Sequence, residues 1–300
     1  MDNIFYAKVD SINDTTYDTF TVSVLTETNE RITIRVNKEE TILINAIYHF
    51  DTEPIIFKER QQYLVNTFTH IDECDIEFGE KTRLMEIFYD YAPVDMNVVK
   101  EVIESYLARF ENKVIKDIVM KLYNDNINSF YLYPAATKFH HAYIGGLSYH
   151  TSTMLRLIDG FLTVYPFLNQ DLLIAGTLLH DIYKTKELTN YAGPEYSKEG
   201  KLLGHITMGV KGIELVSKEL GYLGSEEALL LEHMVLTHHY YGNFGSPKKP
   251  MIPEALILHF MDNIDSKLTV IEEELSMTAP GEFTSPIGVA DREKYYKTKL

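Results

Sequence analysis

Thr19-Phe20-Thr21-Val22-Ser23-Val24-Leu25 and Arg31-Ile32-Thr33-Ile34-Arg35-Val36 decide the architecture of the N-terminal part of the chain. In the first run Phe20, Val22 and Val24 alternate with Thr19, Thr21 and Ser23, and the second run repeats the pattern. A period of two is the mark of strands with one buried face. Thr28-Asn29-Glu30 between them reads as a short hairpin loop. Working outward, Ile4–Val9, Ala46–Phe50 and Gln62–Phe68 add three further strand candidates, and a short helix is expected near Glu39–Leu43. Five short strands fit a small barrel of the OB type. A β-sandwich fragment and an SH3-like barrel share this pattern.

Beyond residue 93 the period changes. Val99, Val102, Ile103, Tyr106 and Phe110, then Val114, Ile118 and Leu122, recur at three- and four-residue spacing, which is helical. Asn169 is positioned to cap a helix over Asp171–His180, and Ser225 one over Glu226–His238. Pro253 suits the first turn of a helix reaching to about Leu275. The expected organisation is α+β and multidomain: a barrel over 1–71, an acidic linker over 72–93, an all-α domain over 94–277, and a tail over 278–300.

The 300 residues are 45% hydrophobic and 24% charged, enough apolar mass for globular cores and too much for a disordered chain. No apolar run reaches the ~18 residues that a membrane span needs. The start of the chain lacks the basic and apolar regions of a signal peptide. A single cysteine, Cys74, permits neither an internal disulfide nor a thiolate zinc framework, so a cytoplasmic location is expected. The net charge of −16 argues against coating nucleic acid by bulk electrostatics, though not against a local site.

Histidines and aspartates inside apolar helical text carry the chemistry. Most of His150, His180-Asp181, His205, His233, His238-His239, His259, Asp262 and Asp265 fall in such segments, for example Leu178-Leu179-His180-Asp181-Ile182. A buried carboxylate without a partner is costly. Taken singly, each histidine reads more simply as a core group donating to a carbonyl. Taken together, they form a set of imidazole and carboxylate donors without thiolates, which suits Mn, Fe, Co, Ni or Zn, with Mg a poorer match. Because adjacent helical residues diverge by ~100°, His180 and Asp181 can serve one site only if it straddles the helix flank.

The order His150, His180-Asp181, Asp262 resembles the H…HD…D signature of the HD-domain phosphohydrolases, and the added His205 and His238-His239 resemble the subset that binds two metals. The stretch from Tyr133 through His140-His141 to His150, with Gly204-His205-Ile206, Gly245-Ser246-Pro247 and His259–Lys267, resembles the YhaM-type bacterial 3′→5′ exoribonucleases. That family pairs an OB fold with an HD domain. The resemblance implies one metal on His150, His180, Asp181 and Asp262. A second shares Asp181 as a bridge and takes His205 and either His238 or His239. Manganese is the first choice for both. Lys184 would meet a phosphate oxygen; its alternative is an ion pair with Asp181 or Glu187.

The resemblance further implies hydrolysis of single-stranded RNA, with DNA as another substrate, and assembly into homo-oligomers. Lys248 and Lys249 could guide the RNA backbone, and Tyr149, Tyr191 and Tyr196 could contact bases or ribose. With six basic against eleven acidic residues in 1–71, any strand binding by the barrel must rely on aromatic stacking. Tyr183 stands at the usual glycine of His-Asp-x-Gly-Lys, Tyr240 follows the paired histidines, and Asn243 replaces a usual acid. Gly146 stands where three-metal relatives carry a glutamate, which argues for two metals. Two other functions fit less of this: a phosphohydrolase of small nucleotides, which needs no strand-holding barrel, and a non-catalytic nucleic-acid-binding regulator, which needs no intact ligand set.

Overall fold

The computed structural model describes residues 3–57, 60–136, 141–192 and 195–300; His140 lies outside them. The chain forms two compact units, Met1–Tyr91 and Ala92–Leu300.

In the first unit β1 (Ile4–Asn13), β2 (Thr19–Thr26), β3 (Arg31–Asn37), β4 (Ile47–Phe57) and β5 (Arg60–His70) close into a barrel ordered β1-β2-β3-β5-β4. All its pairings are antiparallel except β3 with β5, which closes the ring in parallel. This is the OB-type arrangement. The alternation works as its period demands: Val22, Val24, Ile34, Val36 and Phe50 fill the barrel with Ala7 and Val9. Asn29 takes a left-handed φ of 59° in the β2–β3 turn, a conformation asparagine tolerates.

The helix expected near Glu39–Leu43 does not form; residues 38–46 run as turns and irregular chain. So short a segment, with Thr41 and Ile42 β-branched, cannot offset helix nucleation. Ile42 joins the barrel core instead, and Leu43 N donates to Tyr48 Oη at 3.0 Å. The acidic stretch after β5 carries α1 (Phe78–Phe88), which buries Leu84, Met85 and Phe88. Lys8 Nζ donates to the Phe88 carbonyl at 2.8 Å, so this helix is held by the same unit as the barrel.

The second unit contains α2 (Met96–Leu107), α3 (Lys113–Phe130), α4 (Gly146–Val164), α5 (Gln170–Leu179), α6 (Lys184–Glu187), α7 (Lys198–Glu219), α8 (Glu226–Thr237) and α9 (Pro253–Met277). From Asp171 to Leu179 every residue of α5 is buried, and the helix packs against α3, α4, α8 and α9. Such a helix, apolar on all sides, must be central. Asn169 Oδ1 caps it by accepting from Leu172 N at 3.0 Å, and Ser225 Oγ caps α8 through Ala228 N at 3.2 Å. Among the described residues no helix is long and apolar enough to cross a membrane.

Residues 278–300 fold back on themselves. Phe283 bridges Tyr296 and Ile287 bridges Glu293 around a short turn at Gly288–Ala290. Ile287 and Ala290 pack with Ile271 of α9. This segment therefore belongs to the helical unit's structure.

Candidate metal centre

The ends of α5 and α8, the early turns of α4, the middle of α7 and the middle of α9 bring the site together. His150 comes from α4. His180 is the C-terminal cap of α5, and Asp181 lies just past the helix. Ending the helix there resolves the ~100° divergence that two adjacent helical residues would suffer. His205 follows Gly204, whose φ of 72° and ψ of 156° break α7. Glycine adopts that left-sided backbone without the steric cost of a Cβ. His238 caps α8 at its C-terminus with His239 next to it, and Asp262 and Asp265 lie one turn apart on α9.

The rings are anchored at Nδ1 and presented at Nε2. His180 Nδ1 donates to the Thr177 carbonyl at 2.9 Å, His238 Nδ1 to Val235 at 2.7 Å, and His239 Nδ1 to Phe244 at 2.5 Å. His205 Nδ1 donates to Glu187 Oε2 at 3.0 Å, and His150 Nδ1 to Asp265 Oδ2 at 2.6 Å. Anchoring of this kind fixes tautomer and ring orientation for a metal ligand. Across the centre, Asp181 Oδ1 lies 3.2 Å from His205 Nε2 and 3.8 Å from His238 Nε2, while Oδ2 lies 3.4 Å from His180 Nε2. Asp262 Oδ1 is 3.4 Å from His150 Nε2.

Nε2 of His180, His205 and His238 and Oδ1 of Asp181 are buried and make no hydrogen bond among the described residues. Native proteins rarely leave such groups unsatisfied. Asp181, His205, His238 and His239 bring ligand atoms within 4.8 Å of one another, and so do His150, His180 and Asp262. The residues therefore offer two neighbouring groups of ligand atoms that fit metal binding, with Asp181 of one facing His180 of the other. His141, His150 and Asp265 form a third such cluster. There Asp265 accepts from both imidazoles, His141 at 2.9 Å, so it braces His150.

Electrostatics agree with that reading. Burial raises the Asp181 carboxyl, but Lys184, His180 and His205 outweigh it and hold it well below the usual carboxylate range. Asp262 is likewise held low against burial by His150 and His180, and Asp265 by His141 and His150. Burial, with neighbouring imidazoles, pushes His238 and His239 down, leaving them neutral as ligands require. His150 is the exception: burial works against its charge, yet Asp262 and Asp265 raise it to about 10.

Lys184 Nζ sits 2.6 Å from Asp181 Oδ2, the pair being 13% and 4% exposed. It is a buried ion pair, not a solvated one. Asp181, Lys184, His205, His239 and Asp262 line a cavity of about 770 Å³, joined by Glu187, Tyr196, His259 and Arg292. Lys248 and Lys249 are exposed and do not line it; Lys249 Nζ lies 4.9 Å above the Tyr240 ring. Tyr149 and Tyr191 are half-buried and do not line it either.

The sequence departures have structural accommodations. Tyr183 lies against Gly212 of α7, where a Cβ would meet Tyr183 Oη at 1.9 Å. Tyr240 takes a φ of 64° and stacks on His259 with centroids 5.1 Å apart. Asn243 is exposed. At Gly146 a Cβ would fall 2.0 Å from the His141 carbonyl oxygen, so a glutamate ligand does not fit this backbone. From the sequence, Arg292 was not singled out, Glu187 entered only as an alternative partner for Lys184, and Asp265 was noted beside Asp262 without a role at the site. The Asp262-x-x-Asp265 spacing, which puts both carboxylates on one helix face, was the one available signal.

A closed five-stranded barrel with a helical unit built around a His-Asp pair defines a metal-dependent hydrolase of the HD class, and the HD domain family model matches residues 147–267. The chain is 42% identical over 219 residues to the 3'-5' exoribonuclease YhaM of Geobacillus sp. (strain WCH70), covering 73% of this chain and 67% of that protein. It is 40% identical over 261 residues to the 3'-5' exoribonuclease YhaM of Bacillus pumilus (87% and 81% covered) and 40% over 210 residues to that of Bacillus subtilis (70% and 67%). It belongs to the YhaM 3'-5' exoribonuclease family.

Proposed function

We propose that the protein is a metal-dependent 3'-5' exoribonuclease that hydrolyses the terminal phosphodiester of single-stranded RNA. The observation that carries this is the group of buried, unbonded Nε2 and Oδ1 atoms gathered around Asp181, which with His205 also lines the cavity, in a chain of this family. Two cations are assigned, manganese first: His150, His180 and Asp262 would hold one and His205, His238 and His239 the other, and Asp181 would serve both. Bound there, the cations supply an activated water and neutralise charge on the phosphate.

The chain's own residues do the rest. Glu187 and Asp265 hold His205 and His150 in their presenting orientation. Lys184 carries a buried positive charge to the cavity wall, where it meets a non-bridging phosphate oxygen. Lys248 and Lys249 contribute longer-range attraction for the backbone. The barrel is assigned to holding the strand, and assembly into homo-oligomers in the cytoplasm completes the reading.

The test is direct. Purified protein with Mn²⁺ and 5′-labelled single-stranded RNA should give a ladder shortening from the 3′ end, faster than on DNA of the same sequence. Release of product only from mononucleotides would replace this reading with that of a small-nucleotide phosphohydrolase.

A further inference from the structure

Arg292 lines the cavity that holds Asp181, Lys184 and Asp262, yet it comes from the segment after the last long helix. It follows Asp291, and both residues take left-handed backbone, φ 58° and 62°. Consecutive non-glycine residues in that region are uncommon and persist only when their surroundings hold them. Here the hold is visible: Arg292 N donates to the Ile287 carbonyl at 2.9 Å, Ile287 bridges Glu293, and Ile287 and Ala290 are buried against α9.

The charges around the cavity are otherwise accounted for. Lys184 is paired with Asp181, Glu187 with His205, and Asp291 with Lys267 at 3.3 Å. Among the described residues the Arg292 guanidinium has no carboxylate within 4.0 Å and no side-chain hydrogen bond. It is an exposed, uncommitted cation at the wall of a cavity otherwise rich in acids. Its planar fork of donors matches a phosphate bidentately, which a lysine does not.

We infer that Arg292 binds the RNA phosphate one linkage upstream of the scissile bond, so that the C-terminal segment is a substrate-positioning wall of the active site. This deepens the exoribonuclease reading and rests on it. The scissile phosphate belongs with the imidazole–carboxylate cluster and Lys184. Arg292 touches none of those groups through a hydrogen bond or ion pair, and is free for the next phosphate along the strand. The cavity's volume lies in the range of pockets that bury a ligand of nucleotide size.

The experiment uses the full chain and its Arg292→Ala and Arg292→Lys variants, checked for equal metal content and melting. Two substrates separate the phosphates: the p-nitrophenyl ester of uridine 5′-monophosphate, which has only the scissile one, and a 5′-labelled oligoribonucleotide. With Mn²⁺, Arg292→Ala should raise KM for the oligomer about tenfold to a hundredfold, the effect of losing one charge-assisted contact. It should leave the nitrophenyl ester unchanged, and Arg292→Lys should recover part of the loss. Oligomer binding by fluorescence anisotropy, with Ca²⁺ replacing Mn²⁺, should weaken in parallel. Unchanged KM and affinity for the oligomer, or an equal loss on both substrates, overturns the assignment. A wild-type protein that leaves RNA intact overturns the exoribonuclease reading instead, and the anisotropy comparison then decides Arg292 by itself.

Discussion

Replacing Lys184 by methionine separates charge balance from catalysis. Lys184 Nζ and Asp181 Oδ2 are 2.6 Å apart, and the side chains are 13% and 4% exposed. Solvated ion pairs contribute about 0–1 kcal/mol. Removing one member of a buried pair costs about 3–5 kcal/mol, because the other charge is left uncompensated. The geometry places this pair in the second class. In a unit the size of residues 92–300, each kcal/mol shifts Tm by about 2–4 °C, so chelator-treated Lys184→Met should melt roughly 6–20 °C below wild type. Saturating Mn²⁺ should shrink that gap, since cations on the same carboxylate take over its charge balance. If Lys184 also meets the phosphate, kcat should fall by about 10²–10³ with metal content unchanged, the usual effect of removing a positioned stabiliser of developing charge. The measurements are thermal melts with and without chelator, metal analysis, and steady-state rates on labelled RNA. A chelated variant that melts within 2 °C of wild type, or one whose Tm gap is the same with and without Mn²⁺, would refute the charge-balance argument, with ~2 °C corresponding to the surface-pair range. An unchanged kcat would return Lys184 to a purely structural role.

Asp181→Asn should abolish hydrolysis and lower metal content, since a neutral amide cannot balance two cations; full occupancy with near-wild-type turnover would sink the shared-ligand assignment. Removal of residues 1–91, which takes out the barrel together with α1, should spare cleavage of a small diester while raising KM and lowering processivity on long RNA. Equal processivity would transfer the barrel to an assembly or regulatory role. Burial holds His141, His233, His238 and His239 down, so as pH falls below ~6.5 the unfolded chain takes up their protons first and the cation-free protein loses stability. His150 acts oppositely: its contribution is fully present below ~6.5 and is lost as pH rises through about 10. Melts of chelated protein should therefore fall from pH 7 to 5.5, and a Tm that rises over that interval contradicts the sign.

Alternation at Phe20, Val22, Val24, Ile32, Ile34 and Val36 determined the strands and their buried faces, because side-chain direction in a strand is a local property of the chain. The three- and four-residue spacing and the capping residues Asn169 and Ser225 determined the helices for the same reason. The family pattern of histidines and aspartates marked the residues that meet in the centre, including both His238 and His239. Tertiary structure alone decided what surrounds them. Glu187 orients His205, Asp265 braces His150 and Arg292 reaches the cavity through contacts spanning 18, 115 and, for the segment that carries it, a return from beyond α9. No periodicity records such pairings, since they depend on which helix ends and turns converge in space. The region at Glu39–Leu43 is a related case: it is too short and too β-branched to nucleate a helix, and only the fold shows that Ile42 packs into the barrel core. The same holds for residues 278–300, whose breakers read as a tail until Ile287 and Ala290 found their place against α9.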